Sequence, residues 1–274
     1  MKNKQTKVAL IYDFDHTLST TDMQEYSFLP FLGISSKDFW KEVNGLAKET
    51  GMDPLLAYML LMIRKTKDKN VDLTKKQLVK MGRNIIFFPG LDTWFNRINA
   101  YGKKHDLLIE HFIISSGNKE IIEGSKLYKY FKQVYACEFY FENDIAVWPK
   151  TIVNYTTKTQ FIFRINKGVL DIHEHEKVNA SMKDEDKDIP LSNMIYIADG
   201  LTDVPCMKLV RMNSGYAIAV YKDSNKTADE LLKDQRVDYT CVADYSQNSR
   251  IETIVKSIID KIASIDKLNK LKND

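Results

Sequence analysis

The feature that most constrains the fold is the stretch of residues 8–18, which reads VALIYDFDHTL. Its first four residues form an apolar run, which predicts a buried β-strand. Asp13 and Asp15 follow at the end of that strand, one residue apart. Two carboxylates this close repel each other unless a cation or a shared proton relieves them. The stretch therefore predicts either a cation-binding strand end or a simple polar turn, and three later segments favour the first.

Apolar strand patterns and helical patterns alternate along most of the remaining chain. Residues 111–115 predict a second core strand, which ends at Ser115, Ser116 and Gly117. A later strand is predicted at residues 193–198, and the acidic residue Asp199 follows it. This alternation predicts an α/β fold with a parallel sheet covered by helices on both faces. In such a sheet, functional residues gather at the carboxyl ends of the strands.

Four segments together resemble the sequence motifs of the haloacid dehalogenase-like hydrolases. They are DFDHTL at 13–18, IISSG at 113–117, Lys158 within TTKTQ, and IADGLTDVP at 197–205. They occur in the order found in the family and span most of the chain. The resemblance implies a doubly wound, Rossmann-like core. It also implies magnesium-dependent hydrolysis of a phosphate monoester through an aspartyl-phosphate intermediate.

The resemblance assigns an expected role to each catalytic residue. Asp13 is the expected nucleophile, and Asp15 is the expected general acid and base. Lys158 is expected to neutralise charge on Asp13 and on the phosphoryl group. Lys167 is a less favoured candidate for this role, because it lies at the far end of the same predicted helix.

A magnesium site is implied by the same motifs. Its expected ligands are the side chains of Asp13 and Asp199 and the backbone carbonyl of Asp15. Asp203 is expected to orient the waters bound to the metal. A competing role for Asp203 is to cap the helix that begins at the next residue, and the two roles are compatible.

The region between the first two core strands resembles the small cap domain of the phosphoserine phosphatase-like members of the family. It contains no strand pattern, and its helices are expected at 23–31, 37–49, 54–64 and 75–86. We therefore expect a core domain made of residues 1–18 and 88–274, with an all-helical cap domain of residues 19–87 inserted into it. Two connections to the core would let the cap act as a hinged lid.

Substrate recognition is expected to involve both domains. Asp22 is the candidate for binding an amine, and Arg64 is the candidate for binding a carboxylate, with Arg83 as the alternative. His16 is either a residue that reaches the cap or the leaving group, or an exposed turn residue. These assignments would suit phosphoserine or another small amine-bearing phosphate. The residues expected to bind the phosphoryl group are Ser115, Ser116 and Gly117.

Other functions are compatible with the same motifs. A phosphomutase and a nucleotidase would use the same nucleophile, whereas Asp15 argues against a dehalogenase. An alternative of a different class is a phosphate-sensing module that has kept the fold without catalysis. The complete set of acids together with the lysine favours the phosphatase.

Two segments between and beyond the motifs carry less specific patterns. Residues 134–141 and 145–148, with Asn143 and Asp144 between them, predict a hairpin that is a small excursion from the sheet. Residues 171–190 are dense in charge and predict a solvated insertion rather than a metal site.

Composition limits the classes of partner. The net charge is +3 with a pI near 8.5, which is too small an excess to indicate a nucleic-acid surface. The three cysteines are scattered, which favours a reducing compartment. Neither a secretory signal nor an apolar run long enough to span a bilayer is apparent. We expect a cytoplasmic protein that acts on a small phosphate ester, without a nucleic-acid or membrane partner.

Overall fold

The computed structural model describes residues 5–271 and places seven strands in one sheet. The strands are β1 (Lys7–Tyr12), β2 (Leu108–Asn118), β3 (Gln133–Glu142), β4 (Ile145–Thr151), β5 (Met194–Ala198), β6 (Tyr216–Tyr221) and β7 (Tyr239–Val242). Their order across the sheet is β4-β3-β2-β1-β5-β6-β7. All neighbouring pairs are parallel except β3 and β4. The predicted doubly wound parallel sheet is confirmed.

β1 lies at the centre of the sheet and pairs with β2 on one side and β5 on the other. From Val8 to Tyr12 its side chains are completely buried. A central parallel strand is covered on both faces, which is why its apolar residues run continuously instead of alternating with polar ones. The carboxyl ends of β1, β2 and β5 therefore meet at one edge of the sheet.

Two layers of helices cover the sheet, and five further helices lie within residues 19–87, the segment expected to form a cap domain and called the cap below. The helices are α1 (Met23–Tyr26), α2 (Phe28–Leu32), α3 (Ser36–Thr50), α4 (Pro54–Asp68), α5 (Lys75–Met81), α6 (Leu91–Lys104), α7 (Lys119–Glu123), α8 (Lys158–Lys167), α9 (His175–Asn179), α10 (Val204–Met212), α11 (Lys226–Lys233) and α12 (Arg250–Lys270). In one layer α6 packs on α12, and in the other α8 packs on α10. Within residues 5–271, no helix has both the length and the apolar character needed to cross a membrane.

The helices of the cap begin and end at recognisable signals. Ser35 caps α3, Asp53 caps α4, and Thr74 forms a capping box at the start of α5. The predicted helix at 23–31 is wrong in one respect, because an extended φ of −148° at Ser27 divides it into α1 and α2. The predicted helix at 75–86 is too long, because α5 ends at Met81 and a short 3₁₀ turn follows.

The cap contacts the core at several separate places. The two ends of the insertion are side by side, since Ser19 pairs with Phe87 in an isolated β-bridge. A second bridge joins Thr74 to Ile145 of β4. The backbone after α5 also packs directly against α7, where α-carbons approach too closely for side chains. The α5 part of the cap is thus attached to the core by backbone contacts.

The turn of the predicted hairpin is confirmed, but the prediction that the hairpin lies outside the sheet is wrong. Asn143 and Asp144 both adopt positive φ, of 51° and 70°, as a two-residue hairpin turn requires. However, β3 pairs in parallel with β2 and is a full member of the central sheet, so that only β4 is an antiparallel addition at its edge. Residues 171–190 are largely exposed, as predicted, and include the short helix α9.

Candidate active site

The motif residues converge at the carboxyl edge of the sheet. Asp13 follows β1, and its backbone N–H donates a hydrogen bond to the carbonyl of Ile197 on β5, at 3.0 Å. Asp199 follows β5, and Ser115 lies near the end of β2. A cavity of about 270 Å³ separates this edge from the cap. Its lining includes Asp13, Asp15, Asp22, Ser115, Ser116, Gly117, Lys158 and Asp199.

Lys158 forms the buried centre of the site. The lysine is fully buried at the first position of α8, and its Nζ donates to Asp203 Oδ1 at 2.7 Å. The same Nζ lies 3.2 Å from Asp13 Oδ1. The structure therefore brings together the expected lysine, the expected nucleophile and an acid of the fourth motif, which are far apart in the sequence.

Asp203 is held by three donors. Besides Lys158, its carboxylate accepts hydrogen bonds from the hydroxyls of Tyr196 and Thr202. Its side chain makes no capping hydrogen bond to α10, so the alternative capping role is not realised. No role was predicted for Tyr196 or Thr202. Tyr196 directly precedes the fourth motif and Thr202 lies within it, which is the signal that could have indicated them.

Electrostatics at this centre favour additional positive charge. Burial alone would lower the pKa of Lys158, but the carboxylates of Asp13 and Asp203 raise it above its ordinary value. Burial raises the pKa of Asp13 well above its ordinary value, and the repulsion of Asp203 adds to this, whereas Lys158 opposes it. Burial, with the nearby Asp203, likewise raises the pKa of Asp199 to about 6. One lysine thus does not neutralise the local cluster of carboxylates.

Three of these carboxylates could hold a metal ion. Asp13, Asp199 and Asp203 each offer an oxygen, and these oxygens lie within 4.8 Å of one another. An all-oxygen donor set with anionic charge suits Mg²⁺, and a divalent cation would relieve the repulsion described above. The residues present therefore fit the expected metal. Because Asp203 already receives three hydrogen bonds, it is better suited to orienting the other groups than to direct coordination.

Asp15 lies on the cavity wall, two residues beyond Asp13. Its Oδ1 accepts hydrogen bonds from the backbone N–H of Met23 at 2.8 Å and from the hydroxyl of Ser19 at 3.3 Å. Burial, together with repulsion from Asp22, raises the pKa of Asp15 to about 8. The side chain is therefore oriented by the first residues of the cap, and its protonated form is favoured more than in water.

The second motif forms a compact wall on the other side of the cavity. The hydroxyl of Ser115 accepts a hydrogen bond from the backbone N–H of Gly117 at 3.0 Å, and the hydroxyl of Ser116 donates to the carbonyl of Val153 at 2.8 Å. A Cβ atom at position 117 would overlap the end of the Met23 side chain, so a larger residue there would require Met23 to shift. Asn118 precedes the next helix, but its side chain makes no capping hydrogen bond.

Asp22 and His16 form a pair at the cavity wall. The His16 Nε2 and Asp22 Oδ1 atoms are 3.2 Å apart, and both residues line the cavity. His16 has a positive φ of 55°, which is uncommon for a residue with a side chain. The hydrogen bond that His16 donates to Asp22 raises the pKa of His16 to about 9. His16 is an exposed turn residue and also contacts Asp22, so both expectations for it hold. It pairs with the carboxylate that was expected to bind an amine.

The structure does not bring the expected carboxylate-binding arginine to the cavity. Arg64 is exposed and is not part of the cavity lining. It follows Leu55, a lining residue of α4, by nine positions, which at 3.6 residues per turn places it about 180° around the helix. Arg83 is exposed and also absent from the lining. Lys167 is remote as well, since its Nζ donates to the carbonyls of Val178 and Ala180.

Several lining residues were not predicted as part of a site. Gln24 comes from α1, Trp40 from α3, Tyr58 from α4, and Tyr155 from the loop before α8. The sequence offers no motif for them, because an aromatic residue on an amphipathic helix has the same pattern whether it faces a core or a cavity.

Comparisons with known proteins agree with this geometry. The haloacid dehalogenase-like hydrolase family matches residues 10–208. An uncharacterized protein of Borreliella burgdorferi is 30% identical over an alignment of 281 residues including gaps. The alignment covers 92% of this chain and 96% of the relative.

Solved structures of the family share the fold at low sequence identity. A HAD family hydrolase from Salmonella enterica serovar Typhi has a TM-score of 0.58 at 16% identity, covering 88% of this chain and 71% of that one. A substrate-bound phosphoserine phosphatase has a TM-score of 0.55 at 14% identity, covering 93% of this chain and 99% of that one. A phosphoserine phosphatase with an analogue of the phospho-aspartyl intermediate has a TM-score of 0.54 at 15% identity, covering 92% and 99%. Since the family match extends from the first strand through the fourth motif, the chain belongs to the haloacid dehalogenase-like hydrolases.

Proposed function

We propose that the protein is a magnesium-dependent phosphatase that hydrolyses a small phosphate monoester through an aspartyl-phosphate intermediate. The observation that carries this proposal is the arrangement of Asp13, Lys158 and Asp203 beside Asp199 at the carboxyl edge of the sheet. It supplies a nucleophile, a buried cation and an oxygen donor set in a single cavity. Phosphoryl transfer depends mainly on such positioning and charge stabilisation.

In the first step, a carboxylate oxygen of Asp13 attacks the phosphorus atom, and the bond from phosphorus to the ester oxygen breaks. Asp15 gives its proton to the departing oxygen, which leaves as an alcohol. In the second step, Asp15 takes a proton from a water molecule, whose oxygen attacks the phosphorus. The bond between phosphorus and Asp13 breaks, which releases phosphate and restores the carboxylate of Asp13.

The other polar groups would bind and stabilise the phosphoryl group. Lys158 lies close enough to Asp13 to neutralise charge that develops as the nucleophile approaches the phosphate. Ser115, with the backbone of Ser116 and Gly117, faces the phosphoryl oxygens in this proposal. Mg²⁺ held by Asp13, Asp199 and the carbonyl of Asp15 would supply the remaining positive charge. Asp203 would keep Lys158 in place.

The contacts at the cavity give little support to an amine-bearing substrate such as phosphoserine. Asp22 lines the cavity, but its carboxylate is paired with His16, so an amine would have to compete for it. Arg64, which was expected to bind the carboxylate of such a substrate, is not at the cavity. We therefore propose a small phosphate ester as the substrate and do not single out phosphoserine.

The test is hydrolysis of p-nitrophenyl phosphate with Mg²⁺ and with EDTA. We expect activity that requires Mg²⁺ and that Asp13→Asn abolishes without loss of folding. Asp92→Asn is the control, because Asp92 is an exposed aspartate on α6 whose side chain retains 73% of its accessible surface. Activity of Asp13→Asn near that of the wild type would disprove the assignment of the nucleophile. Binding of phosphate without turnover in the wild type would favour the sensing module instead.

A further inference from the structure

The cap side of the cavity is built mainly from aromatic and aliphatic side chains. Trp40, Leu55 and Tyr58 line it from the cap, and Tyr155 lines it from the core. The rings of Trp40 and Tyr58 are in contact, with centroids 5.7 Å apart at an interplanar angle of 55°. The carboxylates and the lysine gather instead at the edge of the sheet. The part of the cavity that would receive the leaving group of a phosphate ester is thus distinct from the part that would hold the phosphate.

The basic side chains of the lining are already paired. Within residues 5–271, the lining contains Lys158 and His16 as its basic residues. Lys158 contacts Asp13 and Asp203, and His16 contacts Asp22. A leaving group with a carboxylate would therefore enter a cavity rich in carboxylates and find no unpaired cation. Because burying an unpaired charge is costly, the geometry disfavours an anionic leaving group.

Two aromatic side chains of the lining leave surface for a ring-bearing ligand. Trp40 is only partly buried, and Tyr155 keeps 48% of its surface exposed although it borders the cavity. A ligand ring could cover the exposed surface of both side chains.

We propose that the substrate is a phosphate monoester whose leaving group carries an uncharged planar ring, held against Trp40 and Tyr155. This inference rests on the phosphatase activity proposed above and names its substrate class. Aromatic side chains favour planar rings through offset or edge-to-face contacts, in addition to the area they bury. The cavity of about 270 Å³ is slightly smaller than the range of about 300–1,000 Å³ for ligand sites, which suits a phosphate with one ring system.

The first experiment compares kcat/KM in Mg²⁺ for benzyl phosphate, cyclohexylmethyl phosphate and O-phosphoserine. The first two have leaving groups of similar size and differ in ring planarity, whereas the third carries an amine and a carboxylate. We expect kcat/KM for benzyl phosphate to exceed the other two values by about tenfold. Equal values for the two ring substrates, or a preference for O-phosphoserine, would overturn the inference.

A binding measurement separates this inference from the proposed function. Calorimetry with benzylphosphonate and cyclohexylmethylphosphonate reports recognition without turnover. If no phosphate ester is hydrolysed, the phosphatase proposal fails, while tighter binding of the planar phosphonate would still support the aromatic site. Equal affinities for the two phosphonates would refute that site even in an active phosphatase.

Variants then locate the ring. Trp40→Leu and Tyr155→Leu should each raise KM for benzyl phosphate about fivefold to tenfold. Because Tyr155 is largely exposed, its variant should fold even if Trp40→Leu does not. Tyr140→Leu is the matched control, since Tyr140 on β3 is 51% exposed and is not part of the cavity lining. A KM for Tyr155→Leu equal to that of the Tyr140 control would show that the ring does not lie against Tyr155.

Discussion

Lys158 is completely buried between two carboxylates, so its single charge serves both stability and the proposed chemistry. A buried ion pair contributes little net stability, but removal of one partner leaves the other charge without compensation. Here two acids, Asp13 and Asp203, would lose their shared cation. The same removal would take positive charge away from the phosphoryl group.

We predict that Lys158→Ala lowers kcat by about two to three powers of ten, the range seen when a charge-stabilising contact is lost. Its melting temperature should also fall, since Asp13 and Asp203 lose their partner. Lys167→Ala is the control on the same helix, because its ammonium group donates to the backbone carbonyls of Val178 and Ala180, away from the cavity. Steady-state kinetics on variants whose circular dichroism spectra match the wild type would check this. A larger loss for Lys167→Ala would reverse the assignment.

His111 connects a second set of buried polar groups, beneath the site. The indole of Trp94 donates to the hydroxyl of Tyr12 at 2.9 Å, and that hydroxyl lies 3.1 Å from His111 Nδ1. The other ring nitrogen, Nε2, lies 2.9 Å from Asn99 Oδ1. A neutral imidazole satisfies all of these groups, with Nε2 as donor and Nδ1 as acceptor. Burial correspondingly lowers the pKa of His111 to about 3.

The lowered pKa predicts acid sensitivity. Below the ordinary histidine value of 6.5 the unfolded chain binds a proton that the folded protein does not, so stability falls as the pH decreases from about 6.5 toward about 3. The slope from this residue is about 1.4 kcal/mol per pH unit. Urea unfolding at pH 7 and pH 5 should show a smaller acid loss for His111→Gln than for the wild type. His105→Gln, at a more exposed histidine, is the control, and identical losses for His111→Gln and the wild type would refute the prediction.

Among the elements, α5 and α7 make the closest contact between cap and core. A side chain at Gly124 would overlap the carbonyl oxygen of Val79, and one at Gly82 would overlap that of Ile121. These two glycines therefore allow backbone-to-backbone packing, which no larger residue could preserve. Gly45, in the exposed middle of α3, has no atom within 4 Å of the position of a Cβ.

We predict opposite effects of the same substitution at these positions. Gly124→Ala should destabilise the protein by about 1–3 kcal/mol or more through overpacking. Gly45→Ala should stabilise it by about 0.5–1 kcal/mol, since alanine is the better helix former and nothing obstructs its methyl group. Urea denaturation of both variants provides the measurement. Tolerance of Gly124→Ala would contradict the contact described for α5 and α7, and destabilisation by Gly45→Ala would contradict the open surroundings described for Gly45.

The elements also differ in how far the sequence predicts them. β1 and β5 are buried along their length, so their apolar runs could be predicted directly, and the acids that follow them could be placed at one edge. β3 could not be assigned to the sheet, because its partial alternation is equally compatible with an isolated hairpin. Its pairing with β2 depends on how the chain returns between them, which local patterns do not encode.

The residues of the candidate site also differ in how well the sequence predicts them. Residues of the motifs, such as Asp13 and Lys158, could be selected because the family resemblance fixes their order in the chain. Arg64 is a candidate only because it is an arginine of the cap helices, and the packing of α4 turns that position away from the cavity. Trp40 and Tyr58 could not be predicted as cavity residues, because their sequence pattern is also that of core residues.

At the scale of the whole molecule, the cap is attached unevenly. α5 is joined to the core by the bridge from Thr74 to Ile145 and by its backbone packing against α7. Near the start of α4, by contrast, the attachment includes a side-chain hydrogen bond, in which Asn154 Nδ2 donates to Asp53 Oδ2 at 2.9 Å. Side-chain contacts of this kind open at lower cost than paired backbone segments. We therefore expect the α3–α4 part of the cap, rather than the whole insertion, to move as a lid.

Asp53→Ser tests this expectation, because serine can still cap α4 while losing the contact with Asn154. Amides of α3 and α4 should then exchange with deuterium faster than in the wild type, whereas those of α5 should not change. The KM for a phosphate ester should rise, since the open form leaves the cavity without its cap side. Asp92→Ser, at an exposed aspartate on α6, should alter neither measurement. Faster exchange throughout α3, α4 and α5 together would instead show that the complete insertion hinges as one body about its two connections.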